Sequence, residues 1–578
     1  MAEVKKNSLF LFFNLVGIGF LWGEKSPNVL FIAIDDLNDW IGCLGGHPQT
    51  KTPNLDRLAG SGTLFTNAHC PAPACNPSRS AIFTGISPHV SGLYRNEQKM
   101  RDVLPDAELL PKTFSRAGYR AEGSGKMLHY FIDAQSWDEY FPAKETENPF
   151  PKTMGPPKRP VSLIRGGSWQ YYETDWGPIN ATDREYGGDY SVVEWVGERL
   201  SQKGEKPFFL ACGIYRPHEP WFVPKKYFDA FPIDEIKLPP GYLRNDLEDI
   251  PNRGKQLARN RYFAHILEQN QWKQAIQGYL ASIHFADAML GRLLDTLKKG
   301  PNANNTIVVL WSDHGWHLGE KEHWQKFTLW RACTRVPLII RVPAGISRSL
   351  VSGTQSSICS QTVNLLSLAP TLFELCDLDS SIKHDGPSLV PLLKNPNSSW
   401  DHVSLTHLQE PGSYSLSEEN WRYIKYANGE EELYNIKKDP FEWENLVSSP
   451  MYTEHLKRLR KKGPTEFAKL FVPKLESLLN LKWISLNKGK KSPPSKPIGH
   501  SFDTRFINHG KSDVELFWID RKGNPVPYAI IKPGGTKVQR TRVGAVWQIS
   551  LTDDPKHSKP LGYFVINAPN SKGIIKSP

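Results

Sequence analysis

Two segments of the chain are largely apolar, without a polar face, and end in acidic residues. Residues 27–34 lead into Asp35 and Asp36, and residues 306–311 lead, after one serine, into Asp313. A strand without a polar face must be covered on both sides, as the central strands of a parallel sheet are. Sites in such open sheets form beyond the carboxyl ends of the strands. We therefore expect the acidic residues of the two segments to share one site.

A third apolar run, residues 208–214, precedes His218, and helical patterns separate the three runs. The clearest of these patterns cover residues 54–60 and 274–299. Alternation of strands and helices is typical of the α/β class. The sequence therefore predicts a mixed, mostly parallel sheet that is flanked by helices.

Residues 75–85 place a thiol directly before a Pro-Ser-Arg turn. Proline is tolerated in the first turn of a helix, so the turn predicts a helix start with Asn76 as the N-cap residue. Cys75 would then lie at the positive end of a helix, where anions bind. Arg79 adds a fork of donors suited to a tetrahedral oxyanion. The alternative is a structural cysteine, because free cysteine often serves as a small core hydrophobe.

The three aspartates at the strand ends, Asp35, Asp36 and Asp313, offer hard carboxylate oxygens. Such oxygens suit Ca²⁺ or Mg²⁺ better than Zn²⁺. An aspartate pair after a strand can also cap a helix. Here, however, a third aspartate follows another strand, and a candidate nucleophile is predicted close by. The pattern therefore favours a site for one hard divalent cation.

The run of residues 75–85 resembles the sulfatase motif Cys-x-Pro-Ser-Arg-x-x-x-Leu-Thr-Gly, with Phe83 at the leucine position. Further stretches resemble those of iduronate-2-sulfatase and its bacterial relatives, namely residues 52–59, 125–129, 217–220, 311–320 and 324–326. The resemblance as a whole covers about residues 28–446. On these residues the chain is identified as a member of the formylglycine-dependent (type I) sulfatases.

The resemblance implies the alkaline-phosphatase-like sulfatase fold and the hydrolysis of sulfate esters of a sulfated saccharide. It implies that a maturation enzyme oxidises Cys75 to formylglycine, whose hydrate is the nucleophile. It also implies one bound Ca²⁺, with Asp35, Asp36, Asp313, His314 and the modified Cys75 as its ligands.

The same resemblance gives roles to five further residues. Arg79, Lys126 and Lys326 are expected to place positive charge around the sulfate. His129 is expected to hold or deprotonate one hydroxyl of the hydrate, and His218 to donate a proton to the leaving alcohol. Lys126 and His129 would share one face if their segment were helical.

Two other classes of function remain open: a phosphodiesterase or phosphonate hydrolase of the same fold, and a non-catalytic binding protein.

At 578 residues the chain is too long for one hydrophobic core. We predict a catalytic domain over residues 24–390 and a C-terminal subdomain over residues 391–485. In the subdomain, two alternating runs flank an Asn-Gly pair, which is a strong hairpin signal. A basic linker rich in Lys, Pro and Ser is predicted over residues 486–500, and an all-β sandwich over residues 501–570.

The predicted sandwich resembles the β domain of the von Hippel–Lindau tumour suppressor, which reads hydroxyproline in a peptide. The resemblance is carried by Asn508 and by residues 517–520, 523–528, 533–534 and 544–547. Pocket-like positions are taken by Trp518, Tyr528, Thr541 and Trp547, whereas Arg540 and Ala545 stand where that family carries histidines. An ordinary sandwich core is the alternative interpretation of the aromatic residues.

The formal net charge of +11 comes from the last part of the chain, because residues 481–578 contain 17 Lys and Arg against 6 Asp and Glu. A basic segment behind a neutral body suggests an appendage that attracts an anionic polymer or protein. A solvated basic surface is the alternative, and we expect no nucleic-acid partner.

The N-terminus, residues 1–23, is predicted to be an export signal. Lys5 and Lys6 precede an apolar run over residues 9–22, which is shorter than the ~20 residues of a membrane span. We expect a periplasmic or secreted protein after cleavage, with a retained membrane anchor as the alternative.

Six cysteines besides Cys75 could form disulfides in an oxidising compartment, but the sequence does not assign pairs.

Overall fold

The computed structural model describes residues 26–129, 131–143, 150–156, 174–259, 262–343, 356–379, 383–472, 474–487, 489–552 and 559–576. The predicted export signal, residues 1–23, lies outside these ranges. Within them, none of the helices combines the length and the apolar character that crossing a membrane requires. All seven cysteines are free.

The strands, in chain order, are β1 Asn28–Ile34, β2 Thr63–Phe65, β3 Ala68–His69, β4 Arg120–Gly125, β5 Glu139–Phe141, β6 Trp176–Ile179, β7 Phe208–Ile214, β8 Trp221–Pro224, β9 Thr306–Ser312, β10 His317–Leu318, β11 Trp324–Gln325, β12 Leu338–Arg341, β13 Ser357–Cys359, β14 Val363–Asn364, β15 Ser404–His407, β16 Tyr414–Ser417, β17 Trp421–Lys425, β18 Glu431–Asn435, β19 Leu479–Asn480, β20 Trp483–Ser485, β21 Ile498–Asn508, β22 Val514–Ile519, β23 Pro525–Ile531, β24 Thr536–Val543, β25 Val546–Leu551, β26 Lys559–Val565 and β27 Ser571–Ile575.

The α-helices are α1 Pro53–Ala59, α2 Cys75–Thr84, α3 Pro88–Ser91, α4 Met100–Val103, α5 Leu110–Arg116, α6 Asp183–Tyr186, α7 Asp189–Leu200, α8 Lys225–Asp229, α9 Asn252–Ala258, α10 Tyr262–Glu268, α11 Trp272–Lys299, α12 Arg331–Thr334, α13 Leu368–Leu375, α14 Val390–Lys394 and α15 Thr453–Lys462.

The central sheet of the described chain runs in the order β13-β2-β12-β9-β1-β7-β4-β5. β1 lies between β9 and β7 and is parallel to both. β12 is antiparallel to its neighbours β9 and β2, so the sheet is mixed but mostly parallel. The three apolar runs of the sequence are thus the three adjacent central strands. The predicted fold class is confirmed.

Helices cover both faces of this sheet. The even-numbered apolar residues of β1, Leu30, Ile32 and Ile34, pack in one cluster with α7 and α11. Its odd-numbered residues pack in a second cluster with α2, α5 and α13. Burial on both faces explains why β1 is apolar from Val29 onwards, since each buried methylene contributes about 0.8 kcal/mol.

A four-stranded antiparallel sheet, β15-β16-β17-β18, follows the central sheet in the chain. β17 and β18 form the hairpin that the sequence predicts, with Tyr423 opposite Leu433. Gly429 in the turn has a φ of 91°, which glycine adopts without strain. Arg422 of β17 is buried and its Nε donates to Glu442 at 2.6 Å, which ties the sheet to the segment that follows it.

The last part of the chain forms a sandwich of two sheets, β19-β27-β21-β24 and β20-β26-β25-β22-β23. Its apolar core is a cluster of its own. β19 and β20 precede the predicted linker, and the linker itself touches the sandwich, since Ser492 donates to Gln548 at 2.9 Å. We call residues 474–576 the C-terminal module.

The aromatic residues of the module divide into two groups. Trp547 is 2% exposed, and its Nε1 donates to Thr541 Oγ1 at 2.7 Å. Tyr528 is 49% exposed and meets the Trp547 ring edge-on. Trp547 therefore belongs to the sandwich core, as the alternative interpretation of the sequence expects. The likeness to the von Hippel–Lindau β domain stays a prediction.

Candidate active site

The acidic residues of the two central strands meet at one edge of the sheet. Ile34 pairs with Ser312 in the register of β1 and β9, so the residues that follow them are adjacent. The backbone N–H of Asp36 donates to Asp313 Oδ1 at 3.1 Å. Asp36 has a φ of 58°, a conformation that aspartate adopts more readily than most residues. The strand ends thus hold three buried carboxylates together.

The helix α2 brings Cys75 to the same edge. Contrary to the sequence analysis, the helix begins at Cys75 itself, and Asn76 is not the N-cap residue, which is Ala74. The reason is that the Asn76 side chain is used elsewhere: its Nδ2 donates to the carbonyls of Arg95 and Gln98. Cys75 still lies in the first turn of the helix, where the helix dipole is positive.

The Cys75 sulfur is the point at which the charged side chains converge. Lys326 Nζ lies 3.0 Å from it, His314 Nε2 3.2 Å and Lys126 Nζ 3.6 Å. An oxygen of each of Asp35 and Asp36 lies at 3.9 Å. All six side chains are shielded from solvent.

Arg79 binds the carboxylates and not the sulfur. Its Nε donates to Asp313 Oδ2 at 2.8 Å and its Nη2 to Asp35 Oδ1 at 2.9 Å. Its Nη1 donates to the backbone carbonyl of Lys126. All three nitrogens of the guanidinium therefore donate hydrogen bonds, and they connect the ends of β1 and β9 to the segment after β4. The planar guanidinium of arginine is suited to such multiple, directed hydrogen bonds.

The two lysines pair with different aspartates. Lys126 Nζ donates to Asp35 Oδ2 at 2.5 Å, and Lys326 Nζ donates to Asp36 Oδ1 at 2.9 Å. Two buried cations thus flank the sulfur. His323 contacts the backbone of Lys326, since its Nε2 lies 2.9 Å from the Lys326 carbonyl oxygen.

Two histidines face the carboxylates with Nε2. His314 Nδ1 donates to the Gly315 carbonyl, and His218 Nδ1 donates to the Glu219 carbonyl. In the neutral rings the basic nitrogen is therefore Nε2, which lies 3.3 Å from Asp36 Oδ1 in His314 and 3.6 Å from Asp36 Oδ2 in His218. The backbone carbonyls thus fix the tautomer, as they do for many metal-ligating histidines.

His129 follows Lys126 by three residues and is half-buried. Residues 126–129 form a bend after β4 and not a helix, so the condition under which Lys126 and His129 would share a helix face is not met. The bend arises because the Lys126 and Met127 carbonyls turn to accept from Arg79. The catalytic role of His129 stays a prediction.

Burial raises the pKa of the three buried aspartates, whereas neighbouring positive charge lowers it. Burial raises the pKa of Asp35 and of Asp36 above the usual range, although Lys126 and Lys326 oppose it. For Asp313, burial is outweighed by Arg79 and His314, which hold its pKa well below the usual range. The site therefore contains one firmly ionised carboxylate and two whose ionisation a bound cation would favour.

The donor set fits a metal ion. Ligand atoms of Asp36, Cys75, Asp313 and His314 lie within 4.8 Å of one another, and so do those of Asp35, Asp36 and His218. Asp36 Oδ2 is buried and accepts no hydrogen bond from the described residues. A buried carboxylate oxygen in this state is stabilised by a cation, and carboxylate oxygens select a hard one.

One residue of the site was not recognised in the sequence. Tyr215 stacks on His218 with ring centroids 4.7 Å apart, and Lys126 Nζ lies 5.5 Å from its ring centroid. Its signal was its position directly after β7, the same relation that Asp35 has to β1. His317, also near the site in sequence, is fully buried and its Nε2 lies 2.7 Å from Thr328 Oγ1.

Comparison with known proteins places this geometry in a family. The family model described as sulfatase matches residues 27–378, and the model described as the C-terminal part of N-sulphoglucosamine sulphohydrolase matches residues 319–466. A sulfatase of Formosa agariphila is 38% identical over 449 residues, which are 75% of this chain and 85% of that protein.

Two more distant proteins are also similar. Iduronate 2-sulfatase of Homo sapiens is 29% identical over 425 residues, 66% of this chain and 75% of that protein. Among solved structures, a protein in complex with its substrate D-glucosamine-2-N,6-O-disulfate superposes with a TM-score of 0.60 at 23% sequence identity. The superposition covers 76% of this chain and 96% of that protein's chain. The structural likeness concerns the fold, and the sequence matches concern the residues that build the site. The chain belongs to the sulfatase family and is a sulfuric ester hydrolase.

Proposed function

We propose that this sulfatase hydrolyses sulfate esters of a sulfated saccharide, with formylglycine made from Cys75 as its nucleophile and one Ca²⁺ in the acidic cluster. The observation that carries the proposal is the position of Cys75. Its sulfur lies no more than 3.9 Å from atoms of two lysines, one histidine and two aspartates. Such a set is suited to binding and neutralising an anion whose charge shifts during a reaction.

An unmodified thiol suits this position poorly. Burial raises the pKa of the Cys75 thiol above its usual range, although Lys126 and Lys326 oppose it, and the thiolate is the reactive form. Conversion to formylglycine removes this requirement, because the aldehyde hydrate supplies an oxygen nucleophile. Cys75 is fully buried, so the maturation enzyme must act before the segment folds.

The acidic cluster is assigned to the cation. Asp35, Asp36, Asp313, His314 and the modified residue 75 would hold it, and Ca²⁺ suits this oxygen-rich set. When bound, the ion polarises the nucleophile and a sulfate oxygen. Arg79 keeps Asp35 and Asp313 in place through two ion pairs, at 2.9 and 2.8 Å.

The remaining residues bind the sulfate and move protons. Lys126 and Lys326 hold positive charge on two sides of position 75, where the sulfate oxygens gain charge as the ester bond breaks. His218 lies on the Asp36 side, with Nε2 directed at the cluster, and it is assigned as the acid for the leaving alcohol. His129 is assigned to one hydroxyl of the hydrate.

The substrate class rests on the similar proteins. One acts, by its name, on iduronate 2-sulfate, and another was solved with a disulfated glucosamine as its substrate. Both substrates are sulfated sugars, so a sulfated saccharide is the class that we assign to this chain. A phosphodiesterase or phosphonate hydrolase is the second candidate, because a tetrahedral phosphoryl group would meet the same charges.

The proposal extends to the ends of the chain. We assign residues 1–23 to export and the protein to the periplasm or the exterior of the cell. The C-terminal module carries the basic excess of the sequence, and we assign it to an anionic polymer or protein. Its core is separate from those that surround the catalytic site.

The decisive experiment combines mass spectrometry with turnover. Protein that is produced with a formylglycine-generating enzyme should carry the aldehyde or its hydrate at residue 75. It should release sulfate from a panel of sulfated saccharides and release little or no phosphate from matched phosphodiesters and phosphonate esters. The Cys75→Ala variant is the control and should release neither. Preferred release of phosphate would favour the second candidate, and a free thiol in fully active protein would contradict the nucleophile.

A further inference from the structure

A cavity lined by both charged and aromatic residues lies apart from the cluster around Cys75. It has a volume of about 260 Å³ and lies between the loop after β1, the first turn of α12 and the segment after β18. Its wall includes the aromatic side chains of Trp40, Trp330 and Phe441. Its charged lining includes Lys321, Arg331 and Arg335, and none of the residues assigned above to the cation or the sulfate lines it.

Most of the charges in this cavity are already paired. Lys321 Nζ lies 2.8 Å from Asp246, and Arg335 Nη1 lies 2.8 Å from Asp39. The Glu442 carboxylate accepts from Arg422 at 2.6 Å. These pairs leave the cavity without net charge, apart from Arg331 and the buried Glu320.

Arg331 is the cation that the fold leaves unbalanced. Among the described residues it has no carboxylate within ion-pair distance, and its Nη1 donates only to the Pro440 carbonyl at 3.2 Å. The residue as a whole is partly exposed, but its Nε is buried and has no acceptor among the described residues. Burial, and then the charge of Arg335, lower the pKa of Arg331 to about 9. Burial raises the pKa of Glu320 to about 7, so near neutral pH this carboxyl offers less than a full negative charge.

A guanidinium in this state is stabilised by an anion. Removing a charge from water without a partner is unfavourable, and a planar fork of donors matches the oxygens of sulfate or of a carboxylate. The size agrees, since an apolar cavity of roughly 150 Å³ accommodates benzene. The space next to Arg331 therefore has room for a free oxyanion or for one sugar ring that carries it. Phe441, which is 39% exposed, offers an apolar face beside it.

We infer that Arg331 is the anchor of a second oxyanion subsite, which takes sulfate or carboxylate. The anion has two sources: free inorganic sulfate, or an acidic group on a sugar unit of the substrate. The second source rests on the function proposed above, whereas the first does not.

The test compares Arg331→Ala and Arg331→Gln with Arg244→Ala in the full-length protein. Arg244 is an exposed cation three residues after Gly241 of the cavity wall, so its removal changes the net charge equally without altering the lining. The first measurement is equilibrium dialysis with radiolabelled sulfate. The second is the ratio of kcat/KM on a sulfated oligosaccharide to kcat/KM on a small aryl sulfate.

Two results support the subsite and separate its sources. If both Arg331 variants bind one sulfate fewer, or bind it at least tenfold more weakly, the ligand is the free ion. If sulfate binding is unchanged but the ratio falls at least tenfold, the ligand is an acidic group of the saccharide. Arg244→Ala should change neither quantity.

Three results overturn it. The inference fails if neither quantity changes in the Arg331 variants, or if Arg244→Ala reproduces their loss. Should both Arg331 variants fail to fold, crystals of the wild-type protein soaked in sulfate decide, and the absence of an anion on the Arg331 guanidinium refutes the subsite. If the wild type hydrolyses no sulfate ester at all, the proposed function fails, while the dialysis still decides the subsite.

Discussion

The ammonium nitrogen of Lys326 lies 3.0 Å from the Cys75 sulfur and 2.9 Å from Asp36 Oδ1. One buried cation thus bridges the nucleophile position and the carboxylate cluster. Burial by itself would lower the pKa of Lys326. The nearby negative charge of Asp36, and then of Cys75 and Asp35, outweighs the effect of burial and holds the pKa of Lys326 well above its usual range. Lys326 is therefore a permanent charge at the site.

We expect Lys326→Met to lower kcat on a small aryl sulfate by about 100-fold or more, because removal of one preorganised donor costs about that factor. The side chain keeps most of its length and loses its charge. Steady-state kinetics measures the change, and a thermal melt verifies the fold. Lys225→Met, at an exposed lysine, is the control, and a similar loss there would contradict the assignment.

Modification of Cys75 should be visible in the intact mass. Peptide spectra of protein made with a maturation enzyme should show the aldehyde or its hydrate at residue 75. Cys75→Ala should block turnover while the thermal melt stays close to that of the wild type, because alanine has no sulfur or oxygen on Cβ from which the aldehyde could be made and is only slightly smaller. Full activity of Cys75→Ala would rule out the proposed nucleophile.

Loss of the cation should follow from a change at Asp36, the aspartate shared by both groups of candidate ligands. Elemental analysis should find about one Ca²⁺ per wild-type chain and none in Asp36→Ala, with activity lost in both Asp36→Ala and chelator-treated wild type. Asp295→Ala, at an exposed aspartate, should keep the ion. A wild-type protein that is free of divalent metal and indifferent to chelators would refute the site.

Stability should fall below about pH 6.5 because of the buried His407. Its ring stacks on His89 at 4.6 Å between centroids, and neither ring nitrogen has a hydrogen-bond partner among the described residues. Burial, and then His89, hold the pKa of His407 well below 6.5. Protonation therefore favours the unfolded chain, and the stability that His407 contributes is complete above the unfolded pKa and declines as pH falls below it.

For one such group the free energy of unfolding declines by at most about 1.4 kcal/mol per pH unit. Chemical denaturation between pH 7.5 and pH 5 should show a smaller decline in His407→Phe than in the wild type. His402→Phe, at an exposed histidine, serves as the control. An identical decline in wild type and His407→Phe would contradict the prediction.

Truncation after Val472 should spare catalysis and weaken binding to anionic polymer. The structure sets this cut: β19 and β20 pair with β27 and β26, so a cut inside the predicted linker would leave two strands unpaired. Residues before the cut must stay, since Tyr94 donates to the Ala468 carbonyl and Gln98 to that of Phe471.

Turnover of a small aryl sulfate should change less than about twofold in the truncated protein. Retention on a sulfated polysaccharide column should fall, and for the full chain it should decline steeply with salt, because surface charges are screened. If the truncated protein binds the column equally well, the basic module serves another purpose.

The sequence alone determined the central sheet, because its evidence is local. A strand that is buried on both faces must be largely apolar, and this requirement is visible in residues 27–34, 208–214 and 306–311. The same holds for the acidic residues after the strands, since parallel strands bring their carboxyl ends to one edge. The hairpin around Gly429 was likewise predictable from its turn residues.

Tertiary structure decided where each charged side chain points. Asn76 had the sequence of a helix cap but donates to the distant Arg95 and Gln98 carbonyls. Arg79 was expected to place positive charge beside the sulfate, and only the folded structure shows that its guanidinium pairs with Asp35 and Asp313. These outcomes depend on groups far away in the chain, whose distance in space no local pattern records. The unbalanced charge of Arg331 is of the same kind, because it emerges only after Lys321, Arg335 and Arg422 have each found a carboxylate in the folded protein.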